Sequence, residues 1–223
     1  MSKQIILIIV EGVSDKNALE GIFKVVLQKE NSIEFVVYDG DILQSLDPVK
    51  KIIQKCKETM SYNGFFAFDI RNIVQISDLD GCYIDELNIV KMETGCIKYN
   101  ESTIACKDVS KIIARNNNKR TSIELLRTMN VITVDKIPIP FKLFYNSCNL
   151  EHVLYNEKNV KKCLKVTKAM SFALEYDSRE SAFISFIRSH ALFKEEVDLW
   201  EHVKIDNNSL HKSSTMYFLF DEV

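Results

Sequence analysis

The stretch Ile5-Ile6-Leu7-Ile8-Ile9-Val10-Glu11-Gly12-Val13-Ser14-Asp15 decides the fold class. Its first six residues are apolar and five are β-branched, which suits a strand buried on both faces of a parallel sheet, where the hydrophobic run is continuous rather than alternating. The run stops at a carboxylate. Glu11 falls at the carboxyl end of the strand, Gly12 permits a tight turn, and Ser14 or Asp15 reads as the N-cap of a helix beginning near Lys16. Ligands of open α/β sheets bind at the carboxyl edge of the strands, so an acid there is placed for chemistry. For Asp15, capping and solvation are an equal alternative.

Working outward, Ala18, Leu19, Ile22, Phe23, Val26 and Leu27 have amphipathic-helix spacing from Asp15 to about Lys29. Ile33 to Tyr38 reads as a second strand, and Asp39-Gly40-Asp41 as a turn. Strand, helix, strand is a βαβ unit with parallel pairing and a right-handed crossover. Asp47-Pro48 opens a second crossover helix as N-cap and first-turn proline. The aromatics of Tyr62 to Asn72 are expected in packing rather than as a stacking platform. Ile73 to Gly81 is a β-rich run that again ends in acid, at Asp78 and Asp80.

From Cys82 to Met129 the periodicity weakens. This segment reads as a helical excursion with helices at about 108 to 115 and 121 to 129, broken by the polar run Arg115 to Arg120. Val131 to Val134 and Phe141 to Tyr145 are strand candidates, separated by a Pro138/Pro140 segment unsuited to a central strand. Asn146 to Asn149 supplies N-caps for a helix carrying Glu151. Beyond Tyr155 the pattern is helical, at 160 to 175 and at 178 to about 193, with Trp200 as an anchor and Met216 to Phe220 as an edge strand or docked tail. The expected fold is therefore α/β: a mainly parallel sheet flanked by helices over residues 1–155, with a mainly helical appendage over 156–223.

With 29 basic and 31 acidic residues, the chain has no global basic field, so a nucleic-acid partner must meet a local patch. Its six cysteines include no CxxC pair or zinc spacing, and the first apolar run is too short to span a bilayer. Both point to a cytoplasmic protein without membrane attachment. The low counts of Gly (6) and Pro (3) argue against a turn-rich all-β fold.

Three strand ends thus deliver carboxylates: Glu11 with Asp15, Asp78 with Asp80, and Glu151. Asp78 and Asp80 are two apart, which on a regular strand turns both side chains to one face. Carboxylate oxygens are hard ligands suited to Mg²⁺ or Mn²⁺, and an ion would relieve the repulsion among them. Capping or solvation of each acid singly is an equal alternative, and their joint placement is the stronger signal.

Glu11-Gly12-Val13-Ser14-Asp15 after a strand, followed two crossovers later by Asp78-Leu79-Asp80-Gly81, resembles the Toprim domain of primases, topoisomerases and OLD-type nucleases. Asn149-Leu150-Glu151-His152 resembles the further acidic position of the OLD-like versions. The resemblance implies catalytic roles for Glu11, Asp78 and Asp80, and one or two Mg²⁺ or Mn²⁺ ions held by Glu11, Asp15, Asp78, Asp80 and Glu151. It implies metal-dependent hydrolysis of DNA or RNA. OLD-like nucleases often work with an ATPase, and since this chain has no GxxxxGK[ST] loop, any such ATPase would be a separate partner. A non-catalytic Toprim-like module, binding nucleic acid or regulating a partner, is the alternative. Ser77 to Cys82 also resembles the opening motif of haloacid dehalogenase-type phosphatases, a reading that leaves Glu11 without a role. Lys111, Arg115, Lys119 and Arg120, with Lys212 further on, are candidate phosphate contacts or a solvated charge run. His152 is a candidate support for the metal ligands or a buried, hydrogen-bonded histidine.

Overall fold

A computed structural model describes residues 4–27, 31–38, 40–189 and 195–220. The apolar run forms β1 (Gln4–Val10), with Ile6 to Val10 all buried. Helix α1 (Val13–Leu27) follows, and β2 (Asn31–Val37) pairs parallel to β1, giving the expected crossover unit. Helix α2 (Pro48–Asn63) starts as predicted: Asp47 accepts from the Lys50 N–H at 2.9 Å, and Pro48 occupies the first turn, where a missing donor costs nothing. β3 (Ile70–Asp78) then pairs with the other side of β1. Lys29, Asp39, His190 and Phe193, which belong to segments read from the sequence, lie outside the described residues. Phe66 and Phe68 do not pack inward as expected; they are exposed and stack on each other at 5.3 Å.

The excursion is only half helical. Its first part folds into a small sheet of β4 (Ile89–Lys91), β5 (Lys98–Tyr99) and β6 (Ile104–Cys106), in the order β4-β6-β5. Strands of two or three residues are too short to display a period. Helix α3 (Val109–Leu126) then runs unbroken through the polar stretch that reads as an interruption. Asparagine is a weak helix former but not a breaker. Arg115, Asn116 and Lys119 lie on the buried face of α3, so the polarity marks internal partners rather than a loop.

β7 (Val131–Val134) and β8 (Ile137–Asn146) form an antiparallel hairpin turning at Asp135 and Lys136, both with positive φ, so Pro138 and Pro140 do lie within a strand. They are tolerated there for a geometric reason. The Phe141 N–H donates to Asn130 across the hairpin, which sets the alternation so that residues 138 and 140 direct their nitrogens away from β7. On that other side β3 pairs only from Phe141 onward, so no ladder bond is lost.

The result is an α/β fold with a mostly parallel mixed sheet, in the order β2-β1-β3-β8-β7, flanked by helices. The connection from β1 leads outward to β2, and the next returns across to β3. This puts the topological switch point between β1 and β3, where the crevice at the carboxyl edge opens.

After α4 (Leu150–Tyr155), helices α5 (Lys162–Glu175), α6 (Glu180–Arg188) and α7 (Glu196–His202) join the core of the sheet. Phe183 lies 6.1 Å from Phe23 of α1 and 6.3 Å from Phe172 of α5, and Phe220 of the closing 3₁₀ turn meets both Phe23 and Phe183 edge-on. The last described residues are a docked tail, not an edge strand. Trp200 stands edge-on to Tyr145 at 4.5 Å, the anchoring role expected of it. No described helix is long and apolar enough to cross a membrane.

Because Phe183 knits α6 to α1 and the tail, Phe183→Ala is expected to lower stability by roughly 3–5 kcal/mol. Urea unfolding followed by Trp200 fluorescence and by far-UV circular dichroism should shift together; movement of one probe alone would show the C-terminal helices to be an independent unit.

Candidate active site at the carboxyl edge of the sheet

Glu11 leaves the end of β1 and Asp78 closes β3, so the two acids flank the switch point. They are tied together: the Asp78 N–H donates to Glu11 Oε1 at 3.1 Å. Asp78 Oδ1 in turn accepts from Asn146 Nδ2 at 3.1 Å and from the Leu150 N–H at 2.9 Å, the second of these at the start of α4. That is the position where an anion meets free helical N–H groups. Glu11 has its carboxyl pushed well above the usual range by burial, by the neighbouring Asp41, and by Asp78 and Asp80. Asp78 is raised by burial and by Asp15, Glu151 and Asp80.

Asp15 is the third residue of α1, whose start at Val13 is earlier than the sequence reading. Its Oδ2 accepts from the Gly12 N–H at 3.0 Å, the returning half of a capping box. Burial and Glu151 raise its carboxyl to about 6, so capping has not removed it from the electrostatics of the acid edge. Glu151 is buried in α4 and paired with Lys165 of α5 at 2.7 Å.

Asp80 stands apart from this group. Strand β3 ends at Asp78, and Asp80 sits in a turn with φ of 53°, so the expected common strand face for the two aspartates does not exist. Gly81 continues the turn at φ 67°, where a Cβ would come within 2.4 Å of Leu210. Asp80 Oδ2 takes Lys119 Nζ at 2.6 Å, and Oδ1 accepts from the Tyr99 hydroxyl at 2.7 Å. Burial opposes its charge, but Lys119 and Arg115 outweigh that and hold the carboxyl below its ordinary value.

Lys119 is fully buried and distributes its ammonium among Asp80, Asp41 Oδ2 at 2.7 Å and the Asp78 carbonyl at 2.6 Å. Arg115 donates to the Asp80 carbonyl at 2.8 Å and to the Tyr99 hydroxyl at 3.0 Å. Neither cation is turned toward solvent phosphate; both are internal partners of the Asp80 turn. Lys111 is exposed beside Asp108, Arg120 bonds to Asn117, and Lys212 lies away from this cluster. His152 is buried one residue beyond Glu151, and its Nδ1 has no hydrogen-bond partner. Asp41, Tyr99, Asn146 and Lys165 escaped the sequence reading. Their signals were those of a turn residue, a two-residue strand, a possible cap and one lysine among many.

The edge therefore has two halves. Asp80 and Asp41 are paired directly with Lys119, whereas Asp78 raises the carboxyl of Glu11 and Asp15 raises that of Asp78. The second half offers hard oxygen donors with no ion pair of their own among the described residues, eased only in part by Lys119 and Lys165, which fits a divalent cation. Among the described residues no three carboxylate, histidine or cysteine ligands already stand at metal-holding distances. Mg²⁺ commonly needs only one or two protein carboxylates alongside water and substrate oxygens, and Glu11 with Asp78 meets that requirement.

Two measurements probe this electrostatic division. Lys119→Met strands two acids and is expected to cost roughly 3–5 kcal/mol in chemical denaturation, with Lys119→Met/Asp80→Asn recovering part of the loss. The second concerns Asp15. An unfolded chain releases its proton near 3.8 and the folded one near 6, so the folded state binds more protons in that window and stability falls as pH rises through it. In EDTA, the stability of Asp15→Asn should decline less between pH 4 and 6 than that of the wild type; equal slopes would remove the assignment. No protein-family model matches this chain, and no curated protein or solved structure matches it either.

Proposed function

We propose that the protein is a cytoplasmic, Toprim-like nuclease that hydrolyses phosphodiester bonds of DNA or RNA with Mg²⁺ or Mn²⁺. The observation that carries this reading is the Glu11–Asp78 pair at the switch point, with Asp15 and Glu151 close enough to raise the charge cost of Asp78. Glu11 and Asp78 would hold the ion, and Asp15 and Glu151 would support it. When bound, such an ion supplies an activated water and a positive charge against the leaving oxygen. Glu11 Oε1 is occupied by the Asp78 N–H, leaving Oε2 as the oxygen that would contact the ion. Asn146 and the start of α4 orient Asp78. The six free thiols support a reducing compartment.

One observation favours a second reading, a non-catalytic module that binds nucleic acid or regulates a partner such as an ATPase: Asp80 is already neutralised by Lys119 and enclosed by Tyr99 and Arg115. The same pairing counts against the phosphatase reading, in which Asp80 would have to carry a proton as general acid, while its carboxyl is held ionised.

Incubation of the purified protein with plasmid, single-stranded DNA and structured RNA in Mg²⁺ or Mn²⁺ decides between these readings. Cleavage is expected, reduced on the order of a hundredfold or more in Glu11→Gln and in Asp78→Asn. Unchanged cleavage in both variants would remove the site; sustained binding with no turnover in any metal would favour the module.

A further inference from the structure

A second polar site is lined in part by Tyr99, whose hydroxyl bonds to Asp80. Tyr99, Glu101, His152, Lys158, His211 and Lys212 line an open cavity of about 710 Å³. Its walls are fastened by bonds that leave the interior free. The Asn159 side chain exchanges two hydrogen bonds of 2.8 Å with the Tyr99 backbone, fixing the loop after α4 to β5. Asn149 Nδ2 donates to the Lys158 carbonyl at 2.8 Å, and Ser147 Oγ donates to the His211 carbonyl.

Lys158 pairs with Glu101 at 2.8 Å, so those charges cancel within the wall. Lys212 pairs with no carboxylate among the described residues, and burial pulls its pKa down. His152 is only 6 % exposed, and its Nδ1 lacks a partner. A half-buried ammonium with no carboxylate partner among the described residues, at the wall of an open polar cavity, is suited to a small oxyanion. The Tyr99 hydroxyl, which bonds to Asp80, joins this cavity to the acid edge.

We propose that this cavity is a phosphate-binding subsite that seats a backbone phosphate of a single-stranded nucleic acid beside the acid edge, with Lys212 as the neutralising charge. The subsite rests on the nuclease reading for its occupant, but binding is measured without turnover. In the full-length Glu11→Gln protein with EDTA, a labelled single-stranded DNA of about eight nucleotides is titrated by fluorescence anisotropy over a range of salt. Inorganic phosphate is titrated separately by ³¹P NMR.

Lys212→Gln is expected to weaken oligonucleotide binding about tenfold. It should also take about 0.7 off the slope of log affinity against log salt, one phosphate contact on a single strand. Lys212→Arg should keep most of both. Phosphate binding that also depends on Lys212 means the subsite accepts the free ion too; oligonucleotide dependence alone means it requires a chain-borne phosphate. Either result supports the subsite.

No binding by the parent protein, or unchanged affinity and slope in Lys212→Gln, overturns it. If Lys212→Gln fails to fold, acylation of lysines in the parent protein, read by peptide mass spectrometry, replaces it: the oligonucleotide should protect Lys212, and an unprotected Lys212 overturns the subsite. Lys212-dependent binding in a protein that cleaves nothing leaves the subsite standing while removing the nuclease reading. Cleavage with no role for Lys212 in binding does the reverse.

Discussion

A single buried ammonium holds the carboxyl edge of this sheet together. Lys119 comes from the middle of α3, reaches the turn after β3 and the segment after β2, and bonds to Asp80, Asp41 and the Asp78 carbonyl. Desolvating such a charge costs several kcal/mol unless it is fully paired, and here two of its bonds are to carboxylates that themselves need a cation and the third is to a backbone carbonyl. Burial works against the charge, yet Asp80, Asp41 and Glu11 hold it well above the ordinary lysine range. The tight Asp80-Gly81 turn and the inward face of α3 both follow from this arrangement.

Concentrating compensation on one side leaves the other side short of it. Glu11 and Asp78 are hydrogen-bonded neighbours, Asp15 adds to the charge cost of Asp78, and Lys165, paired with Glu151, offsets only part of the charge at Asp15. A protein that needed these acids only as helix caps would have no reason to crowd them at the switch point. Perturbed carboxyl pKa values cluster at functional sites and also arise in structural ion-pair networks, and local repulsion of this kind is offset by the stability of the surrounding sheet.

The sheet was legible because its first strand is unambiguous: six apolar residues ending in acid admit few other structures. The caps at Asp47 and Asn149 were legible too, since the side chain and the helix it starts are neighbours in sequence. What escaped is what depends on distant partners. The polar run in α3 looks like a loop until the Asp80 carbonyl that accepts from Arg115 and the carboxylates that pair with Lys119 are known. Pro138 and Pro140 look like breakers until the register of the hairpin shows which way their nitrogens point. Glu11 and Asp78 could be paired from strand order alone, whereas Asp80 could not be separated from Asp78 without the φ of its turn.

The segment Ser213 to Thr215 runs along the end of β8: Ser147 N–H donates to the Ser213 carbonyl, Thr215 N–H to the Tyr145 carbonyl, and Ser214 Oγ bonds to Asn146 Oδ1. Asn146 is the residue that steadies Asp78. During synthesis, which delivers the amino end first, β1, β3 and their acids are present long before this strap is made. The nascent sheet carries its acids early, but the orientation of Asp78 waits for a segment made later to dock. A chain that has formed β1 and β3 but not yet the Ser213 to Thr215 strap therefore lacks the contact that holds Asn146 beside Asp78.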